Sequence, residues 1–368
     1  MMKRKGMRLF FIAFAFLLSI FSVSLNEENI KAATSGDYTL KIGGENTDTL
    51  NIDGGNYNIT GDPGQTEELK LLVINQASNT RKFRFDVNTA YTSDGGTLSY
   101  NKNKVSDPDL KIQLRSLATP KSAVFSVPGN KTATLTFKVK IPEKSYEGTI
   151  MGGVTVAPYK EKAKGTVSAN GTLIKNKFSY SIPIQIKQKD SASPEPKYSV
   201  RTIKPALVQG TKGQTQGINV NVHNSTNSYA GSLTAKAVVT KKGDKSFKIV
   251  KDANSQNIAP TTNFNMGISW GKKSLQAGNY HLKLTYKAEG GLKSWVINKD
   301  FTITNNDAAK YNKLAGIKPN YLWLYILLGI LALAIILGLG IYLGKRNNNN
   351  NSNNGDNNSG NTTRRRRR

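Results

Sequence analysis

Between Thr34 and Thr304 the apolar residues recur at every second position, and no helical period of any length appears outside the two termini. Leu69, Leu71 and Val73 alternate with other residues, as do Phe83, Phe85 and Val87, and then Leu135, Phe137, Val139 and Ile141. The later half repeats the device with Ile218, Val220 and Val222, with Leu282, Leu284 and Tyr286, and with Trp295, Ile297, Phe301 and Ile303, broken by Lys299. Successive side chains of a strand point to opposite faces, so a period of two makes one face apolar and leaves the other wet. The phrases GDPGQT, TSDGGT, VPGN, KKGDK and QAGNY separate the runs and supply the Gly, Asn and Pro that tight turns need. Many short half-buried strands joined in this way predict an all-β chain of antiparallel, immunoglobulin-like sandwiches.

One phrase occurs twice. GQTEELKLLVIN fills Gly64 to Asn75 and GQTQGINVNVHN fills Gly213 to Asn224, a displacement of 149 residues. That is the size of a domain. Two further pairs keep the same order: VPGNKTATLTFKV from Val127 with APTTNFNMGISW from Ala259, and YEGTIMGGVTV from Tyr146 with AGNYHLKLTY from Ala277. The repeat predicts two tandem sandwiches of related build.

The ends belong to neither. Lys3, Arg4, Lys5 and Arg8 precede the apolar run Leu9 to Val23, and small residues follow at Ala32 and Ala33, the layout of a secretory signal peptide over residues 1–32. Tyr321 to Leu343 is uncharged, long enough at about 1.5 Å per residue to cross a hydrocarbon core of about 30 Å. Tyr321, Trp323, Tyr325 and Tyr342 flank that run, where interfacial rings are favoured. Lys345, Arg346 and Arg364 to Arg368 follow it and place the C-terminus in the cytoplasm, with a disordered, Asn-rich basic tail over 344–368. Retention by the helix is expected, since LAGIKPNY, and no Leu-Pro-x-Thr-Gly phrase, precedes the span.

An exported chain without cysteine must hold its fold by core burial, and it has no thiol catalysis or thiolate-bound metal. Residues 33–320 carry 40 Lys+Arg against 21 Asp+Glu, and 197–304 carry 16 against 4. Such a cationic surface suits wall polyanions and acidic partners at long range. Nucleic acid is not an expected partner, because an exported domain rarely meets it and no nucleic-acid-binding motif is present.

A glycan-active enzyme would need two carboxylates about 5 to 10 Å apart. Glu67, Glu68, Asp107, Asp109, Glu143 and Glu147 are the candidates, all in turns or at strand ends where solvated carboxylates are expected anyway. His223 and His281 have no acid partner in the sequence, and no nucleophile-elbow pattern exists. The reading is therefore no enzyme, no cofactor and no metal. Trp270, Tyr280 and Trp295 are the candidate partner-binding residues, on the condition that they are exposed rather than core. Gly148, Gly152 and Gly153 are read as permitting close strand approach rather than contacting a glycan.

The segments DPGQTEELKLLVINQASNTRKFRFDVNTAYTSDGGTLSY and SVPGNKTATLTFKVKIPEKSYEGTIMGGVTV resemble the N-terminal domain of the WxL-interacting proteins of Gram-positive bacteria. NKFSYSIPIQI and NIAPTTNFNMGISWGKKSLQAGNYHLKLTY resemble their second domain. The polar stretch LKIGGENTDTLNIDGGNYN departs from that pattern and leaves the first strand open. The resemblance implies a first domain that binds peptidoglycan and a second that binds WxL-domain surface proteins or host extracellular-matrix proteins. On this reading 34–157 is the first sandwich, 158–171 a linker, 172–304 the second sandwich and 305–320 a juxtamembrane stalk before the span 321–343. Residues 177–187 go to the second domain by resemblance, although they could complete the first sandwich physically. The expected protein is a non-enzymatic, single-pass surface protein with its sandwiches outside the membrane. The alternatives are a host-matrix adhesin without wall binding and a wall-glycan enzyme.

Overall fold

The alternating runs are strands in the computed structural model, which describes residues 36–161, 165–167, 173–175, 178–211, 213–318 and 321–351. The signal peptide read at 1–32, half of the linker at 158–171 and the end of the tail lie outside the described residues.

The first half holds β1 (Tyr38–Gly43), β2 (Leu50–Asn51), β3 (Tyr57–Gly61), β4 (Thr66–Asn75), β5 (Arg81–Thr89), β6 (Tyr91–Thr92), β7 (Leu98–Ser99), β8 (Ala118–Thr119), β9 (Ser122–Val127), β10 (Thr132–Lys140), β11 (Ile150–Pro158), β12 (Gly165–Val167), β13 (Leu173–Lys175) and β14 (Tyr180–Gln188). One sheet runs β1-β4-β10-β8 and the other β2-β3-β14-β11-β5-β9. Leu69, Leu71 and Val73 of β4, Phe83, Phe85 and Val87 of β5, and Phe137 and Val139 of β10 fill one core between them. The predicted inward face is the buried face in each. Departure from the family pattern left the first strand open, and β1 closes that question: it pairs antiparallel with β4, and Tyr38 is buried with its hydroxyl donating to Val156 O at 2.8 Å.

Of the stretch 177–187, given to the second domain by resemblance, β14 enters the first sandwich by hydrogen bonding. β14 lies between β11, antiparallel, and β3, parallel. Ile182, Ile184 and Ile186 face the first core, and that apolar stripe can be buried only there. A boundary at 172 follows sequence resemblance, whereas the ladder follows the core.

The second half holds β15 (Tyr198–Gly210), β16 (Gly213–Asn224), β17 (Leu233–Lys241), β18 (Asp244–Gln256), β19 (Asn263–Ser269), β20 (Gly278–Lys287) and β21 (Ser294–Ile303). They form a sheet β15-β16-β19 and a sheet β18-β17-β20-β21. Ile218, Val220, Val222, Leu282, Leu284 and Tyr286 are buried, as their alternation predicts. β21 is an edge strand, and its Trp295, Ile297 and Phe301 are only half-buried.

By compactness the described residues divide into two units. The first comprises those of Met1–Lys204, Asn219–Ile268 and Tyr280–Phe301; the second those of Pro205–Ile218, Ser269–Asn279 and Thr302–Arg368. In the second unit the stalk read at 305–320 begins as a helix, Asn305–Leu314, whose cap Thr304 accepts from Asp307 N at 3.1 Å. Asn312 fixes that helix by both ends of its amide: Oδ1 accepts from Leu275 N at 2.8 Å and Nδ2 donates to Leu275 O at 2.9 Å. The last described helix, Leu322–Asn351, contains an apolar stretch, Leu324–Lys345, long and apolar enough to cross a membrane. Its side chains are exposed around the whole circumference, Ile326, Ile330, Leu337 and Ile341 among them.

Candidate functional site

The most elaborate polar assembly among the described residues is built around Asp107, and all its members lie in the first unit. Pro108 presets the turn after Asp107, whose Oδ1 accepts from Asp109 N at 3.0 Å. Opposite that loop, the adjacent strands β15, β16 and β19 present Arg201, His223 and Asn263. Arg201 forks onto the carboxylate, Nη1 to Oδ2 at 2.8 Å and Nη2 to Oδ1 at 3.0 Å, and Asn263 Nδ2 also donates to Oδ2. Arg201 Nη2 reaches Asp109 Oδ2 at 3.2 Å and His223 Nε2 at 2.7 Å. The Asp107 side chain is 0% exposed, so its charge has no water to face and depends on these donors.

Burial works against the Asp107 charge, yet the bonds from Arg201, Asn263 and Asp109 N prevail and hold its carboxyl below the ordinary range. His223 shifts downward as well, chiefly through burial and then through the Arg201 charge, against the pull of Asp107 and Asp109. Asp107, Asp109 and His223 bring ligand atoms within 4.8 Å of one another, a donor set that could suit a divalent cation. The guanidinium stands among those same atoms and already supplies the positive charge. The arrangement does the work of an ion-pair clasp, holding the 107–109 loop against the β15-β16-β19 sheet.

The clasp corrects the expectation that the histidines lack acid partners. His223 Nε2 lies 3.0 Å from Asp109 Oδ2 and 3.4 Å from Asp107 Oδ1, and His281 Nδ1 lies 2.6 Å from Asp300 Oδ1. The first pairing joins residues more than a hundred positions apart and leaves no local signal; the second joins neighbouring strands β20 and β21 and was within reach of a hairpin reading. Among the other carboxylates weighed for catalysis, Glu143 pairs with Lys140 at 2.5 Å and Glu67 accepts from Gln65 Nε2 at 3.2 Å.

The aromatic candidates differ in exposure. Trp270 is 2% and Tyr280 0% exposed, so neither meets the condition set for a contact residue. Trp295 is half-buried, packs edge-on to Tyr198 at 5.1 Å and donates from Nε1 to Pro196 O at 3.0 Å. The glycines serve close approach. A Cβ on Gly148, at φ +83°, would stand 1.9 Å from Asn227 O, and one on Gly153 would stand 2.8 Å from the Tyr100 ring.

Two family models match the chain: the peptidoglycan binding domain of the WxL Interacting Protein over residues 25–158, and its host binding domain over 169–313. No curated protein matches. Among solved structures, the class 5 fimbriae chaperone CfaA is 14% identical and covers 71% of this chain and 99% of its own, at a TM-score of 0.28. The CupB2 chaperone of Pseudomonas aeruginosa is 12% identical over 66% of this chain and 96% of its own, at 0.26. The seventh PapD-like domain of human CEP192 is 14% identical over 47% and 98%, at 0.24. Scores of that size carry no argument for this chain.

Proposed function

The chain belongs to the WxL-interacting protein family, and from that premise we propose that this surface binding protein is anchored by one membrane helix and acts by binding alone. The first sandwich, 34–157 completed by β14, grips peptidoglycan, and the second, from β15 to β21, grips a WxL-domain or host protein. The observation that carries this reading is the order of the two family matches along the chain, followed by one apolar helix. The cationic surface of 197–304 supports an acidic protein partner for the second domain. The Asp107 carboxylate, buried and pinned by Arg201, supports binding over hydrolysis.

Retention of the full chain, in detergent, on purified sacculi tests the reading. Binding that persists at high salt without release of soluble glycan is expected. Release of fragments would make the protein an enzyme, and failure to bind alongside capture of a host-matrix protein would make it an adhesin without wall binding. Protease added to intact cells is expected to remove the bulk of the chain; protection would overturn the proposed orientation.

A further inference from the structure

An open cleft of about 380 Å³ on the first sandwich is lined by Lys111, Gln113, Arg115, Ser116 and Lys121. Its lining holds three cations and two neutral hydrogen-bonding side chains, and no carboxylate. Arg115 is pinned by one nitrogen: Nη1 donates to Val87 O at 2.8 Å, Asn88 Oδ1 at 2.9 Å and Lys121 O at 3.3 Å. Among the described residues its Nε and Nη2 make no hydrogen bond, so a prepositioned guanidinium edge remains for a ligand. Lys121 Nζ has no partner among the described residues, and Lys111 Nζ is engaged only by Pro108 O at 2.7 Å. Asp86 lies 3.7 Å from Arg115 Nη1, the nitrogen already pinned, and accepts from Arg84 Nε at 2.6 Å and Nη2 at 3.1 Å. Asp86 does not line the cleft, whose own charged side chains are all cationic.

Like charges gathered around a concavity repel one another, an anion between them relieves that repulsion, and a planar guanidinium edge matches the two oxygens of a carboxylate or phosphate. The volume lies at the lower end of the roughly 300–1,000 Å³ found for small-ligand sites, so the cleft suits one acidic group and its immediate substituents rather than a folded segment. We propose that this cleft binds an oxyanion borne by a cell-wall polymer, a carboxylate or a phosphodiester, and so supplies a charge-reading subsite to the first domain. This inference rests on the wall-binding reading above. It also makes wall retention partly salt-sensitive while leaving a salt-resistant remainder.

The test compares the full chain in detergent with Lys111→Gln/Lys121→Gln and with Lys245→Gln/Lys248→Gln. The second variant makes the same charge change at exposed positions of β18. Arg115 is left intact because its Nη1 holds three acceptors in place. Each protein is bound to sacculi, either untreated or stripped of phosphate polymers with hydrofluoric acid. The cleft variant is expected to bind untreated sacculi about tenfold more weakly than the parent and the β18 variant, as for loss of charge-assisted hydrogen bonds. If the difference survives stripping, the oxyanion is a peptidoglycan carboxylate; if it vanishes with stripping, the oxyanion is a phosphodiester. Equal binding of all three proteins to both preparations overturns the cleft and spares the wall-binding reading. Absence of binding by the parent overturns both. Melting temperatures unchanged by the exposed Lys→Gln changes tie any loss to the ligand.

Discussion

Asn75 and Asn224, 149 residues apart, make the same hydrogen bonds in the two sandwiches. Each is 0% exposed at the end of a central strand. Each donates from Nδ2 to the carbonyl four residues on, Asn79 O at 2.9 Å and Ser228 O at 2.8 Å, and accepts at Oδ1 from the amide two residues on, Ala77 N at 3.1 Å and Thr226 N at 3.2 Å. Each also reaches the Pro-containing turn before the partner strand, through Val127 O at 3.0 Å and Ala259 O at 3.5 Å. The repeated phrase thus ends on Asn because a buried corner needs one side chain that both donates and accepts.

Replacing either residue by Ala should strand several buried backbone groups. About 1–3 kcal/mol is expected from each, read by denaturant unfolding. The two losses should add, since the residues share no partner. Asn→Asp, which keeps the acceptor and removes the donor, should recover little of either loss.

Arg201→Met should leave the Asp107 carboxylate buried without its cation. A loss of about 3 kcal/mol is expected, at the low end for a broken buried pair because the Arg201 side chain keeps 31% exposure. Adding Asp107→Asn to Arg201→Met should restore part of that stability, since the uncompensated charge then disappears. A double variant no better than Arg201→Met alone would contradict the clasp.

Acid should loosen the same clasp from two directions. His223 has a folded-state pKa below its unfolded value of about 6.5. Its contribution is therefore complete above that pH and is lost as pH falls below it, because the unfolded chain takes up the proton first. Asp107 is likewise depressed, so its contribution is present above the ordinary carboxylate range and is lost as pH falls through its folded-state value. Melting temperature recorded from pH 8 to pH 3 should fall in both regions. His223→Gln should flatten the first region.

Gly153→Ala should press a methyl group against the Tyr100 ring, which would stand 2.8 Å away. That ring is buried, and the main chain that carries it is held in place, the Tyr100 backbone carbonyl accepting from Asn88 Nδ2 at 2.7 Å and from Thr155 Oγ1 at 3.2 Å. A loss of about 1–3 kcal/mol is expected for overpacking at such a site. Gly95→Ala serves as the control, since its φ is not positive and the nearest atom to its added Cβ is Ser93 Oγ at 3.7 Å.

The sequence by itself determined what depends on near neighbours. Alternation assigned Leu69, Leu71, Val73, Ile218, Val220 and Val222 to inward faces, turn residues marked the hairpins, and an uncharged run marked the apolar helix, because each is decided by period or length within one segment. Tertiary structure alone decided which segments meet. It paired Asp107 with Arg201, His223 and Asn263, buried Trp270 and Tyr280, and drew β14 into the first sheet although resemblance reads it with the second domain. It also gathered Lys111, Arg115 and Lys121 around one cleft. The physical reason is that a side chain's face is a local property of the strand, whereas its partner is chosen by the burial of distant strands against one another, on which local period is silent.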